Sequence, residues 1–212
     1  MMLELGLKFT LAYLLGSILG SLVVGQLYGG VDIRQLGSGN AGGTNALRTQ
    51  GKVFALWVIV IDVGKGILPV IVLPTVDVPG VGIDPLLSRE FIAYAVGFAA
   101  LLGHVYPLWY DFRGGKGGAT AAGVLCVVAP FLALPVILFW VAAIILTGYV
   151  GLSTIVAVVG AAAYIGITDL PDAYRLFVLA TLIAVLIIFT HRANIVRMWQ
   201  GTENRMHLFR SG

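Results

Sequence analysis

Apolar residues run almost unbroken through several stretches of the chain, separated by short polar segments rich in glycine. The runs at about 5–27, 53–73, 91–110, 149–167 and 174–190 each approach the roughly 20 mostly apolar residues that a helix needs to cross a hydrocarbon core of about 30 Å. A further apolar stretch, 119–148, is broken by Pro130 and Pro135. As one helix it would be about 45 Å long at 1.5 Å per residue, more than the core holds. Proline removes a backbone hydrogen bond and kinks or ends a helix. The stretch is therefore either one tilted helix or two short ones hinged at the prolines.

Basic residues decide between these. Arg34, Arg48 and Lys52 sit in segment 29–52, Arg113 and Lys116 in the next polar loop, and Arg192, Arg197, Arg205 and Arg210 in the tail. Segment 74–90 instead carries Asp77, Asp84 and Glu90 against Arg89, and the turn at 168–175 carries Asp169 and Asp172 against Arg175. The positive-inside rule places the first three regions in the cytoplasm and the last two outside. One span across 119–148 would leave the basic tail outside; two bring it in. The expectation is an all-α polytopic membrane protein with seven transmembrane helices, two of them short, N-terminus out and C-terminus in. With no internal repeat and no hydrophilic linker, residues 1–212 read as one membrane domain.

Composition agrees: 59% of the 212 residues are apolar and 11% charged, against roughly 45–50% and 25% in soluble domains. Mean hydropathy is +0.98. The apolar run from Leu11 to Val24 continues into glycine and serine, and Glu4 and Lys8 make a poor basic leader. A retained helix is expected there, not a signal peptide. The single cysteine, Cys126, excludes an internal disulfide and reads as a small buried apolar residue. The net charge of +3 is modest, and no basic block is interleaved with aromatics. Nucleic acid is therefore not an expected partner.

The polar residues cluster on the expected cytoplasmic side. The first cluster reads RQLGSGNAGGTNALRTQGK, residues 34–52. Gly37, Gly39, Gly42 and Gly43 let the backbone turn tightly and present N–H groups. Ser38, Asn40, Thr44 and Asn45 add neutral donors, and Arg48 adds a planar fork suited to phosphate or carboxylate. Thr44 or Asn45 is placed to cap a short following helix and aim its N-terminus at an anion.

The second cluster is RGGKGGAT, residues 113–120. It is not the nucleotide P-loop, which needs four residues between its first glycine and Gly-Lys, then Ser or Thr, after a strand. What survives is a concavity built from the amides around Gly114, Gly115 and Gly117 together with Lys116. Thr120 begins the next helix, and His104 lies just upstream. The third cluster, HRANIVRMWQGTEN, spans 191–204. His191, Asn194 and Arg197 recur every three residues and share one helical face. Arg192, Arg210 and Trp199 read as headgroup anchors. Glu203, the only acid in the tail, is available to an arginine. Inside the second span, Asp62 and Lys65 stand i, i+3, and pairing lowers a cost of about 2.5–3.5 kcal/mol per central charge. Structural support is their expected role, and helix packing that of Gly16 and Gly20.

The motifs GSGNAGGTNALR (37–48), GHVYPLWYDFRGGKGGAT (103–120) and HRANIVR…GTEN (191–204), with DVGKG (62–66), resemble those of the bacterial glycerol-3-phosphate acyltransferase family that uses acyl phosphate as donor. Gly43 stands where alanine is usual, Gly118 replaces a small apolar residue, and GSILGS (16–21) lacks a proline often found there, which leaves the shape of the first helix open. The resemblance implies acyl transfer from acyl phosphate to the 1-hydroxyl of sn-glycerol 3-phosphate, giving lysophosphatidic acid and phosphate, the first step of phospholipid synthesis. It also implies seven helices in the bacterial cytoplasmic (inner) membrane with the site facing the cytoplasm. A soluble enzyme supplying acyl phosphate is an implied partner, and no metal or cofactor is.

An acyl phosphate is already activated, so no covalent nucleophile is required, and there is no serine elbow. What remains is positioning and electrostatic stabilisation. Under the resemblance Ser38, Arg48 and Lys116 hold phosphate groups, and Gly114, Gly115 and Gly117 wrap glycerol 3-phosphate. His191 and Asn194 orient the acceptor or the leaving group. Either His191 or a substrate phosphate takes the hydroxyl proton, with substrate assistance favoured. A transporter of an organic phosphate is the alternative, but its charges would lie near the midplane. A metal-dependent lipid transferase would need paired aspartates, whereas Asp32 and Asp111 are far apart in sequence.

Overall fold

A computed structural model describes residues 3–206. Among the described residues the chain forms ten α-helices and no strand: α1 (Leu3–Gly16), α2 (Gly20–Leu27), α3 (Gly43–Gln50), α4 (Lys52–Val72), α5 (Arg89–Val105), α6 (Gly118–Val128), α7 (Ala133–Thr147), α8 (Val150–Thr168), α9 (Tyr174–Thr190) and α10 (Arg192–Trp199). Arg210, counted above among the tail charges, lies outside the described residues.

Helices occupy each of the expected apolar runs, with breaks where the local chemistry puts them. Four helical stretches are long and apolar enough to cross a membrane, and up to six if each bent pair is one span. The first bent pair is α1 and α2, which meet at 43° around residues 17–19; the second is α9 and α10, which meet at 54°. The chain thus bends at GSILGS without a proline. The apolar stretch 119–148 divides at Pro130, which opens a short 3-10 turn after α6. Pro135 does not act as a hinge. It lies in the first turn of α7, where a missing N–H removes no helical bond. Of the two helices in this stretch only α6 is short; the following segment, Pro130–Thr147, has the length of a span. Cys126, expected inside, is exposed. On an apolar helix a thiol facing hydrocarbon loses nothing by staying at the surface.

The chain divides into two compact units, residues up to 128 and residues from 129. In the first, α5 packs on α1, α4 and α6, and α4 also carries α2 and α3. Glycines set these contacts. A Cβ on Gly16 would overlap Ala100 O, one on Gly103 would overlap Tyr13 O, and Gly66 and Gly123 face Thr120 O and Val63 O in the same way. Helices α1 and α5, and α4 and α6, therefore touch backbone to backbone, the close approach by which helices associate in lipid. In the second unit α8 packs against α7, α9 and α10. Gly148, left-handed at φ 74, ends α7 and lets α8 fold back.

Candidate functional site

The first cluster is a loop folded around one side chain. Asn45 is 2% exposed and stands in the first turn of α3. Its Nδ2 shares its two hydrogens among the carbonyls of Ile33, Leu36 and Asn40, at 2.9, 3.0 and 3.0 Å. Its Oδ1 accepts from Ser38 N at 2.9 Å. Gly37 sits against that amide at φ 56, in the left-handed region open to glycine. Neither Thr44 nor Asn45 caps α3. The N-cap is Gly42, whose N–H goes to Asn40 Oδ1 at 2.9 Å, because the helix starts earlier than the polar residues suggest. With Asn45 holding the loop together, Ser38 and Gly39 are left exposed on its outer side, and Arg48 is exposed at the end of α3.

Arg34, read only as a charge in the sequence, joins this loop to the second. It is clamped by Asp32 through Nε and Nη2, at 3.1 and 2.8 Å. Its Nη1 donates to Arg113 O at 3.5 Å, and its guanidinium lies over the Tyr110 ring at 5.5 Å. Hydrogen bonding to Arg34 holds the Asp32 carboxyl below the usual carboxylate range against partial burial.

The second cluster doubles back onto α5. After Pro107 the chain turns through Asp111 and Phe112, both left-handed at φ 54 and 57. Gly114 N then donates to Val105 O at 3.2 Å, and Gly115 N to His104 O at 3.0 Å. Tyr13 Oη donates to Tyr106 O at 2.7 Å, and Leu108 N to Ser17 Oγ at 3.3 Å, tying the segment to α1. The amides of Gly114 and Gly115 are thus spent inside the loop. Those that begin α6, from Gly118, have no intrahelical partner. Gly117, at φ 90, swings the chain into that helix directly after Lys116. Lys116 is half-buried, and Thr120 is wholly buried with no hydrogen-bond partner for its hydroxyl.

Beneath the loop, Lys65 Nζ and Asp62 Oδ1 pair at 3.2 Å, as their spacing suggests. They also complete the bend between α1 and α2. Lys65 donates to Ile18 O at 2.7 Å, and Asp62 accepts from Gly20 N at 3.1 Å. A cation thus meets the carboxyl-side end of the break and an anion the amide-side end. His104 Nδ1 faces Asp62 Oδ1 at 3.6 Å.

The third cluster lies in the second unit. Glu203 accepts from Asn194 Nδ2 at 2.7 Å and from Arg197 Nε at 2.6 Å, so the tail closes on the shared face of α10. His191, 5% exposed, stands at the bend between α9 and α10. Its Nδ1 lies 2.8 Å from Ile187 O, a contact only a protonated Nδ1 can make. In the neutral ring Nε2 therefore carries the lone pair. Trp199 is 93% exposed and Arg192 lies over Phe189 at 4.3 Å, as suits residues at a headgroup boundary. No group of three or more potential metal ligands exists among the described residues.

A family model described as glycerol-3-phosphate acyltransferase matches residues 7–201. The glycerol-3-phosphate acyltransferase of Chlorobaculum parvum (strain DSM 263 / NCIMB 8327) is 38% identical, over 93% of this chain and 94% of its own. That of Aquifex aeolicus (strain VF5) is 39% identical, over 92% and 95%. The crystal structure of PlsY (YgiH), an integral membrane glycerol 3-phosphate acyltransferase, in its glycerol 3-phosphate form superposes with a TM-score of 0.82 at 37% identity, covering 97% of this chain and 99% of that one. Its lysophosphatidic acid form gives 0.80 at 36% identity, over 96% and 95%. Matched in sequence and in fold over nearly its whole length, this all-helical integral membrane chain belongs to the glycerol-3-phosphate acyltransferase family.

Proposed function

We propose that the protein transfers a fatty acyl group from acyl phosphate to the 1-hydroxyl of sn-glycerol 3-phosphate, releasing lysophosphatidic acid and inorganic phosphate. The relatives' names and the two ligand forms of PlsY support the acceptor and product. The donor rests on the three motifs and on the chemistry available. The hydroxyl oxygen attacks the acyl carbonyl carbon, the bond from that carbon to the phosphate oxygen breaks, and phosphate leaves with the electron pair. Ser38, Arg48 and Lys116 bind phosphate groups and offset the charge that develops on the leaving group. Gly114 and Gly115 shape the second loop so that Lys116, Gly117 and the first amides of α6 meet an anion. Gly39, Asn40, Thr44, Asn45, His104 and Thr120 shape or line the two loops around it.

His191 and Asn194 orient the acceptor or the leaving group, with Glu203 fixing Asn194. The hydroxyl proton passes to a substrate phosphate, whose second pKa is about 6, or to Nε2 of His191. Counting α6 and each bent pair as a span gives seven spans. With basic loops inside, the phosphate-handling loops of this bacterial membrane protein face the cytoplasm from the inner membrane, as one membrane domain. There a soluble enzyme making acyl phosphate has access to them.

The observation that carries this reading is the second loop. Its glycines fold the backbone onto α5 and leave a lysine beside the amide end of a helix, a cationic donor cluster suited to a phosphate. The test is phosphate release by the purified protein given palmitoyl phosphate, with and without glycerol 3-phosphate, and with palmitoyl-CoA as a parallel donor. Acceptor-dependent release with lysophosphatidic acid is expected from the acyl phosphate alone. Activity only with the thioester removes the donor; silence with both, from folded protein, favours a transporter. Arg48→Ala and Lys116→Ala are expected to lower kcat about 10²–10³-fold, and near wild-type turnover would remove their roles.

A further inference from the structure

The side chain of His104 is 3% exposed, so it offers no surface for a substrate to approach. It lies between two layers. On one side Nδ1 faces Asp62 Oδ1 at 3.6 Å, an electrostatic contact too long for a full hydrogen bond. On the other, Nε2 lies so close to Gly115 that a Cβ built there would overlap it. Gly115 has φ outside the left-handed region, so its backbone alone does not exclude alanine. The ring does. Gly114 differs: a Cβ there would overlap the carbonyl oxygen of His104 and crowd Pro107 Cδ at 2.7 Å, whatever side chain residue 104 carries.

We propose that His104 is a positioning residue whose imidazole, backed by Asp62, is the floor that sets the height of the Gly115 backbone. Through that backbone it places Lys116 and the amides that open α6. The line of contacts runs from the bend between α1 and α2, where Lys65 and Asp62 hold Ile18 O and Gly20 N, through the ring to the glycine loop. The inference rests on the reading that this loop holds a substrate phosphate.

The test is a double-variant cycle on purified full-length protein, with kcat and KM measured for both substrates and each preparation checked for a cooperative thermal transition. Gly115→Ala is expected to raise the KM for glycerol 3-phosphate about tenfold with kcat changed far less, because contacts made equally in ground and transition states count as uniform binding. His104→Ala raises the same KM. Combined, the two are expected to be no worse than His104→Ala alone, since the new methyl enters volume the ring has left; non-additivity of that sign reports direct contact. Gly114→Ala is the control, which His104→Ala does not relieve. His104→Gln, whose amide can reach the place of Nε2, restores most of the affinity.

Independent, multiplying effects of Gly115→Ala and His104→Ala would overturn the proposal. So would a His104→Ala enzyme with unchanged KM, or with its whole loss in kcat. If His104→Ala lacks a thermal transition, the cycle is read with His104→Gln, whose flexible end yields to a methyl where the fixed ring does not. Wild-type protein that neither turns over nor binds glycerol 3-phosphate in calorimetry takes the reaction and this inference together. Wild-type activity with an additive cycle removes the role of His104 alone.

Discussion

Helix α5 carries a buried charge cluster at each end, and the two are built on different terms. At its start, Glu4 is saturated. Oε1 accepts from Lys8 Nζ at 2.7 Å and Arg89 Nη1 at 2.5 Å, and Oε2 accepts from Asp84 N at 2.7 Å and Arg89 Nη2 at 3.3 Å. Lys8 is wholly buried, and Arg89 adds bonds to the carbonyls of Pro74, Asp84 and Leu87. At the other end, fifteen residues and about 22 Å along the axis, one oxygen of Asp62 faces Gly20 N, Lys65 Nζ and His104 Nδ1 at 3.1, 3.2 and 3.6 Å. The first cluster closes on itself and pins the 74–88 segment to α1. The second ends on the glycine loop. A buried carboxylate facing a lysine thus anchors a segment at one end, and at the other it backs the His104 ring against the glycine loop.

Removing the Glu4 charge is the largest way to break the comparison. Glu4→Gln leaves the buried Lys8 and the partly exposed Arg89 facing a neutral amide. Loss of one partner of a buried pair costs about 3 kcal/mol or more. A thermal or denaturant midpoint in detergent is expected to fall accordingly, while the folded fraction keeps both KM values within about twofold, since uniform binding at the far loop is untouched. A comparable loss of glycerol 3-phosphate affinity would show that the two ends are coupled.

Asp62→Asn sharpens the same contrast. The amide still offers Gly20 N an acceptor but no longer balances Lys65, and a hydrogen bond to a charged group is worth about 1.5–3 kcal/mol. Here the expected outcome is a smaller fall in midpoint joined to a rise of about threefold in the KM for glycerol 3-phosphate, a rise that vanishes in a His104→Ala background. A stability loss with no change in KM would make the second cluster an anchor like the first.

How much of this was legible in the sequence follows from the range of each contact. The apolar helices, the division near Pro130, the pair Asp62–Lys65 and the pairing of Glu203 with an arginine were readable, because hydropathy and short spacings carry them. The glycines of RGGKGG read as a tight anion-binding turn, but nothing in the sequence marks Gly115 as a partner of His104. That contact needs the chain to reverse through Asp111 and Phe112, and a left-handed phenylalanine has no sequence signal. Asn45 read as a ligand candidate, yet its amide is taken by the loop's own backbone, a use fixed by a turn whose shape no local pattern reports. Glu4 and Arg89 stand 85 positions apart, and only the packing of α1 on α5 joins them. Pro135 misleads as a hinge because a proline breaks a helix interior and is tolerated in a first turn.

The smallest expected effect belongs to a charge pair outside both clusters, Asp32 with Arg34. Each side chain is about a quarter exposed, so the pair is worth under about 1 kcal/mol. Hydrogen bonding to Arg34 lowers the Asp32 pKa in the folded protein. A depressed carboxyl contributes stability that is complete above its unfolded pKa of about 3.9 and is lost as pH falls through the folded value below it. Asp32→Asn keeps an oxygen to accept from Arg34 N, the bond that caps the 3-10 turn at 33–35, and removes only the charge. The difference in thermal midpoint between wild type and Asp32→Asn is therefore expected to be constant from pH 7 to pH 5 and to shrink below about pH 4. A difference that instead opened on acidification would mean that Asp32 is held protonated, and that Arg34 bridges the two loops without it.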